Sequence, residues 1–94
     1  MGLGVCRLGD DCSGHGCWPP RVNDEASPNV FANGVAVHRQ SDHWVNHTCV
    51  TTHDGVLQTG SSSVFVNGLP VARIGDPIDC GSTVAEGSST VFAG

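Results

Sequence analysis

The chain has 94 residues, a formal net charge of −5, 13 Gly, two Trp, three Phe and no Tyr. Its only basic residues are Arg7, Arg21, Arg39 and Arg73, too few to build the patch that nucleic acid or an anionic membrane surface requires. No apolar run approaches the roughly 20 residues of a spanning helix. The N-terminal stretch containing Asp10, Asp11, Trp18 and Pro19-Pro20 has no apolar segment of the kind a secretory signal uses. These features predict a soluble protein with no membrane anchor and no nucleic-acid partner, made in a reducing compartment.

A domain of this size buries little surface and leans on a metal, disulfides or a partner. Here the apolar residues are mostly Val and Ala, so the deficit is acute. Five Cys and five His are available to fill it, and an odd Cys count without an export signal favours metal over a disulfide framework.

Self-similarity organises the chain. Displacing the sequence by 34 positions lays Ser27–Asp42 on Ser61–Asp76 with eight of sixteen residues identical. A third copy is split: Val5–Asp10 opens the chain and Gly87–Gly94 closes it. The expected organisation is one domain over residues 1–94, with units at about 27–42, 60–76, and 87–94 joined to 5–10.

In chain order, the half-unit Val5–Asp10 is the return strand of a hairpin whose first strand lies at the other terminus, so the termini pair. The connector Asp11–Ala26 follows, with Cys12, His15 and Cys17. Cys12-x-x-His15-x-Cys17 offers a local metal half-site that needs a fourth group from elsewhere. The unit Ser27–Asp42 carries Val30-Phe31-Ala32-Asn33-Gly34, and Asn-Gly is the strongest two-residue hairpin signal because both positions of a type I′ turn need positive φ. That turn sets the register: Ala32 faces Val35, Phe31 faces Ala36, and Val30 faces Val37.

The second connector, His43–Thr59, holds His43, His47, Cys49 and His53 and is read as a loop. In the next unit Val66 faces Leu69 and Val64 faces Val71, which sets Pro70 opposite Phe65 in a non-hydrogen-bonded pair where its missing N–H is no loss. The last connector, Pro77–Glu86, carries Cys80. Each unit ends in Arg-x-x-Asp, at Arg7/Asp10, Arg39/Asp42 and Arg73/Asp76. The recurrence favours a structural turn over an anion site.

Three units around a pseudo-threefold axis share one core and bring their connectors together at one end. His and Cys from the connectors then meet near the axis, suited to tetrahedral zinc and also to ferrous iron. His38 and Cys6, inside the units, are packing or surface residues. The two Trp are expected to roof a small core. No nucleophile stands in a triad context and no phosphate-binding Gly loop is present.

The repeated Ser-x-x-Val-Phe-x-Asn-Gly-x-Pro-Val-Ala-Arg-x-Gly-Asp, clearest at Gly60–Asp76, with Asp79-Cys80-Gly81 and Gly14-His15-Gly16, resembles the PAAR-repeat family. Its Pro-Ala-Ala-Arg signature stands here as Pro70-Val71-Ala72-Arg73, while the first unit lacks both the Pro and the Gly before Asp42. The resemblance implies an all-β fold: a small cone of hairpins, metal-stapled at its apex, on the end of a trimeric β-helical spike. That spike is VgrG-like in type VI secretion or the central spike of a contractile phage tail, and the tip meets the target cell envelope. By position it implies the ligands His15, His47, His53 and Cys80, with His43 as the substitute for His47. The implied function is a non-enzymatic tip, one copy per trimer, without fused domains. It would sit in the virion tail, or in the bacterial cytoplasm before export. Two other functions are weighed against it: a metal hydrolase with one open coordination position served by Asp54 or Asp79, and an adaptor for an effector or chaperone.

Overall fold

Asn33-Gly34 and Asn67-Gly68 form the tight turns expected of them, with φ of 55° and 76° in the first and 54° and 79° in the second. In the computed structural model, which describes residues 2–94, these turns close β2–β3 (Phe31–Ala32, Val35–Ala36) and β6–β7 (Phe65–Val66, Leu69–Pro70). The register is the one the turn dictates: Phe31 opposite Ala36, Ala32 opposite Val35, Phe65 opposite Pro70 and Val66 opposite Leu69. The third hairpin joins the two ends of the chain. β1 (Leu3–Gly4) pairs antiparallel with β8 (Phe92–Ala93), Leu3 opposite Ala93 and Gly4 opposite Phe92. The described residues contain no helix, and the protein is all-β.

Equivalent residues of the three units bond one another in a closed ring. The Cys6 amide donates to the Ala72 carbonyl at 2.9 Å, Ala72 donates to His38 at 3.0 Å, and His38 donates back to Cys6 at 3.0 Å. All three residues are fully buried. A second ring runs through Ser27, Ser61 and Ser88, also buried. The Ser27 hydroxyl donates to Asn67 Oδ1 at 2.6 Å, Ser88 to Asn33 Oδ1 at 2.6 Å, and Ser61 to the Gly94 carbonyl. Each hydroxyl also accepts the amides two and three residues on, so one small side chain both shapes its own turn and locks the neighbouring hairpin.

The apolar interior falls in two layers. One holds Val5, Val37 and Val71 with Ala32, Val66 and Ala93, two sets of equivalent positions. The other holds Cys6, Cys12, Trp44, Leu57, Ala72, Ile78 and Val84, built largely from the connectors. The chain crosses between them at Val5–Cys6 and Val71–Ala72. The layers lie within a molecule of 37 × 26 × 21 Å.

The Arg-x-x-Asp segments are turns. In each, the Asp carboxylate accepts its Arg's backbone amide, at 2.8, 2.9 and 2.8 Å, and pairs with the same guanidinium. The guanidiniums of Arg7 and Arg39 reach further to Asn33 and Asn67. The three arginines are thereby engaged within the fold.

The second connector departs from expectation. It is the longest hairpin of the described chain, β4 (His43–Cys49) against β5 (Thr51–Val56). Its turn was hidden because no Gly, Asn or Pro marks it. Val50 takes the apex with φ of 65° and is fully exposed. A β-branched side chain there is a conformational outlier, sustained by the paired strands on either side.

The expectation against disulfides is also overturned: Cys17 and Cys49 are bonded, with Cα atoms 5.7 Å apart. The separation of 32 residues gave no hint of the pairing, which depends on β4 carrying Cys49 up to the first connector. Cys6, Cys12 and Cys80 are free thiols.

Candidate metal centre

β4 and β5 set two of the donors. His47 lies directly opposite His53 across the hairpin, so both imidazoles leave the same face. Between Trp44 and His47 the register slips, with Val45 and Asn46 opposed to Asp54. Without this bulge, residues three apart would point to opposite faces. With it, Trp44 enters the core and His47 is also buried.

His15 comes from the first connector, between Gly14 and Gly16 with φ of 71° and 54°. Paired backbone bonds between His15 and Trp18, at 3.0 and 2.8 Å, close this segment into a turn. The Trp18 ring stacks on the imidazole at 5.0 Å, while its indole N–H donates to the Thr51 carbonyl. Trp44 roofs the core as expected, whereas Trp18 instead packs against a donor. Cys80 comes from the third connector, in a turn closed by the bond from the Gly81 amide to the Ile78 carbonyl.

The structure brings His15, His47, His53 and Cys80 together, with one donor atom from each within 4.8 Å of the others. The Nε2 atoms are 3.2 Å apart for His15 and His47, 3.0 Å for His15 and His53, and 2.6 Å for His47 and His53. Around a tetrahedral zinc ion, nitrogens at ordinary bond lengths are about 3.3 Å apart.

The donor chemistry fits a cation. His47 Nδ1 lies 2.8 Å from the Pro19 carbonyl, which can only accept, so Nδ1 carries the proton and Nε2 offers a lone pair to the cluster. Burial, helped by the neighbouring imidazoles and Arg21, holds His15 and His47 below the usual imidazole range, in the neutral form that ligates. Such a grouping could hold one metal ion.

The other sequence candidates lie elsewhere. His43 is bonded to Asp24 at 2.6 Å and to Asp54 at 3.0 Å, outside the donor group. The Cys12/His15/Cys17 half-site does not form: Cys17 is in the disulfide and Cys12 is buried in the core. Burial pushes the Cys12 thiol up, but hydrogen bonds from Arg21 and its surroundings outweigh this and leave it below its ordinary value. Asp54 is held by His43, and Asp79 accepts the Val56 amide at 3.0 Å. The sequence reading missed Arg21, whose signal was that it alone among the arginines lies outside the repeat units; the Asp24 three residues on pairs with His43 instead.

Three hairpins interlocked end to end, with three connectors converging on a His₃Cys group, define a class of small β-hairpin domains built on repeats. The chain belongs to the PAAR motif family, whose model matches residues 18–86. It is also similar to the double-stranded DNA deaminase toxin A of Burkholderia cenocepacia (strain H111), 31% identical over 68 residues, or 70% of this chain. The chain spans 5% of that relative's length.

Proposed function

We propose that residues 1–94 form one PAAR domain that caps a trimeric β-helical spike, one copy per trimer, with a metal ion bound by His15, His47, His53 and Cys80 at the opposite end. The observation that carries this reading is the equivalent exposure of Phe31, Phe65 and Phe92, at 59%, 56% and 56%. They stand at the same position of three hairpins bonded into a ring, and each neighbours an inward residue of the hairpin-side layer: Ala32, Val66 or Ala93. A monomer that offers three like aromatic groups in pseudo-threefold array suits a partner with three like sites. Covering the exposed half of each ring contributes roughly 1 kcal/mol or more apiece.

The metal, zinc or ferrous iron by its donor set, supplies a cross-link among the three connectors when bound. His15 ties in the first connector, His47 and His53 the β4–β5 hairpin, and Cys80 the third connector. The chain residues do the orienting: Pro19 fixes the His47 tautomer, Trp18 holds the His15 plane, and the bulge aims His47. Stiffness at this end serves penetration of a cell envelope. Such a tip would be assembled in the bacterial cytoplasm and work in a phage tail or a type VI apparatus. An enzymatic role for the centre is disfavoured because four protein donors complete a tetrahedral shell and both Asp54 and Asp79 are committed.

The test is co-elution with a purified trimeric β-helical spike. The triple variant Phe31→Ser, Phe65→Ser, Phe92→Ser is expected to lose co-elution while keeping the metal content of the parent. Unchanged co-elution would show that docking uses another surface.

A further inference from the structure

Arg21 is 7% exposed, close to burial of the whole side chain, and it has no carboxylate partner among the ion pairs of the described residues. Its hydrogen bonds go to two sulfurs and one carbonyl. Nη2 donates to Cys80 Sγ at 3.3 Å, Nη1 to Cys12 Sγ at 3.1 Å, and Nε to the Val45 carbonyl at 2.8 Å. The Arg21 amide also donates to Cys12 Sγ, at 3.4 Å. The guanidinium lies over the Trp44 ring at 5.6 Å, and a Cβ placed on Gly55 would come within 3.0 Å of Nη2. The fork is therefore fixed on its faces as well as its edges.

These partners belong to different segments. Arg21 and Cys12 are in the first connector, Val45 is in β4 at the bulge that aims His47, and Cys80 is in the third connector. One side chain thus joins the same three segments as the His₃Cys group, one layer inward. We infer that Arg21 is a positioning residue of the metal centre, holding the Cys80 sulfur in place against the three imidazoles and tying it to the strand that carries His47. The inference rests on the proposal that the His₃Cys group binds a metal. Its physical basis is that a ligating sulfur is a strong acceptor, and a charged donor beside it fixes its direction and draws electron density from it. A lysine delivers one point charge where the arginine fork reaches both sulfurs and the carbonyl at once.

The experiment uses the full chain loaded with Co²⁺, comparing the parent with Arg21→Met, Arg21→Lys and Arg73→Met. Chelator-driven loss of cobalt and the sulfur-to-cobalt charge-transfer band are the readouts, with folding followed by circular dichroism. Arg21→Met is expected to lose cobalt about 10–100-fold faster and to shift the band to lower energy, since the sulfur regains electron density. Arg21→Lys is expected to fall between it and the parent. Arg73→Met, which breaks the pair with Asp76, is expected to lower Tm and leave band and loss rate unchanged. An unshifted band with a parental loss rate in Arg21→Met would overturn the inference. If that variant does not fold, the same result in Arg21→Lys overturns it. A parent that takes up no cobalt rejects the metal centre itself, whereas uptake by the parent with no effect of Arg21 rejects only the positioning role.

Discussion

Ser41 stands where the second unit has Gly75 and the split unit has Gly9, and it adopts a φ of 72° against their 92° and 86°. The turn geometry is therefore kept where the sequence motif lapses, and the serine bears the steric cost. Left-handed backbone costs a side-chain-bearing residue about 1–2 kcal/mol, partly offset by the roughly 0.5–1 kcal/mol entropic penalty of glycine. Ser41→Gly is expected to raise stability by about 0.5–1 kcal/mol, or roughly 3–6 °C in Tm, measured by thermal unfolding. A lower Tm would show that the hydroxyl contributes something the backbone account omits.

His43 allows a second test at the same scale. Hydrogen bonds that it donates to Asp24 and Asp54 raise its pKa above the ordinary 6.5, and the bond accepted from His43 lowers that of Asp54 below 3.8. A raised imidazole value gives stability that is complete below 6.5 and lost as pH climbs through the folded value. A lowered carboxylate value gives stability that is complete above 3.8 and lost as pH falls through the folded value. The Tm advantage of the parent over His43→Gln is thus expected to be largest between these two pH values, to vanish in alkali, and to shrink with added salt because the pairs are solvent-exposed. An advantage that does not vary with pH would contradict the ion-pair account.

At the scale of elements, two of the repeat hairpins were legible because Asn-Gly fixes a turn and the turn fixes the register, and the third, between the chain ends, was legible from the split copy. Their ring closure was legible as an expectation from the split copy. The β4–β5 hairpin was not, because its apex is Val50 and its strands carry a bulge that breaks the alternation of Trp44 and His47. The metal donors could be carried over by position from the family pattern, but their convergence depends on this unseen hairpin. The disulfide was hidden for the same reason. Cys17–Cys49 ties the turn bearing His15 to the hairpin bearing His47 and His53, so covalent and coordinate cross-links span the same two segments. Cross-linking across 32 residues is worth about 2–4 kcal/mol. Cys17→Ser with Cys49→Ser is expected to lose about that much stability while retaining bound metal. Reductant should bring the parent to the variant's Tm, and a parent indifferent to reductant would contradict the cross-link.

For the whole molecule, the deficit of apolar mass is met in layers. Two rings of hydrogen bonds, through Cys6/His38/Ala72 and Ser27/Ser61/Ser88, replace much of what a larger core would supply. The connector end adds a disulfide and the His₃Cys group, and the hairpin end is left with three exposed phenylalanines. A body closed at one end and apolar in threefold array at the other is suited to cap a trimer. Native mass spectrometry of this chain assembled with a trimeric β-helical spike tests that claim most directly. The expected mass is that of one trimer, one chain and one metal ion; three chains per trimer, or a single chain without metal, would contradict it.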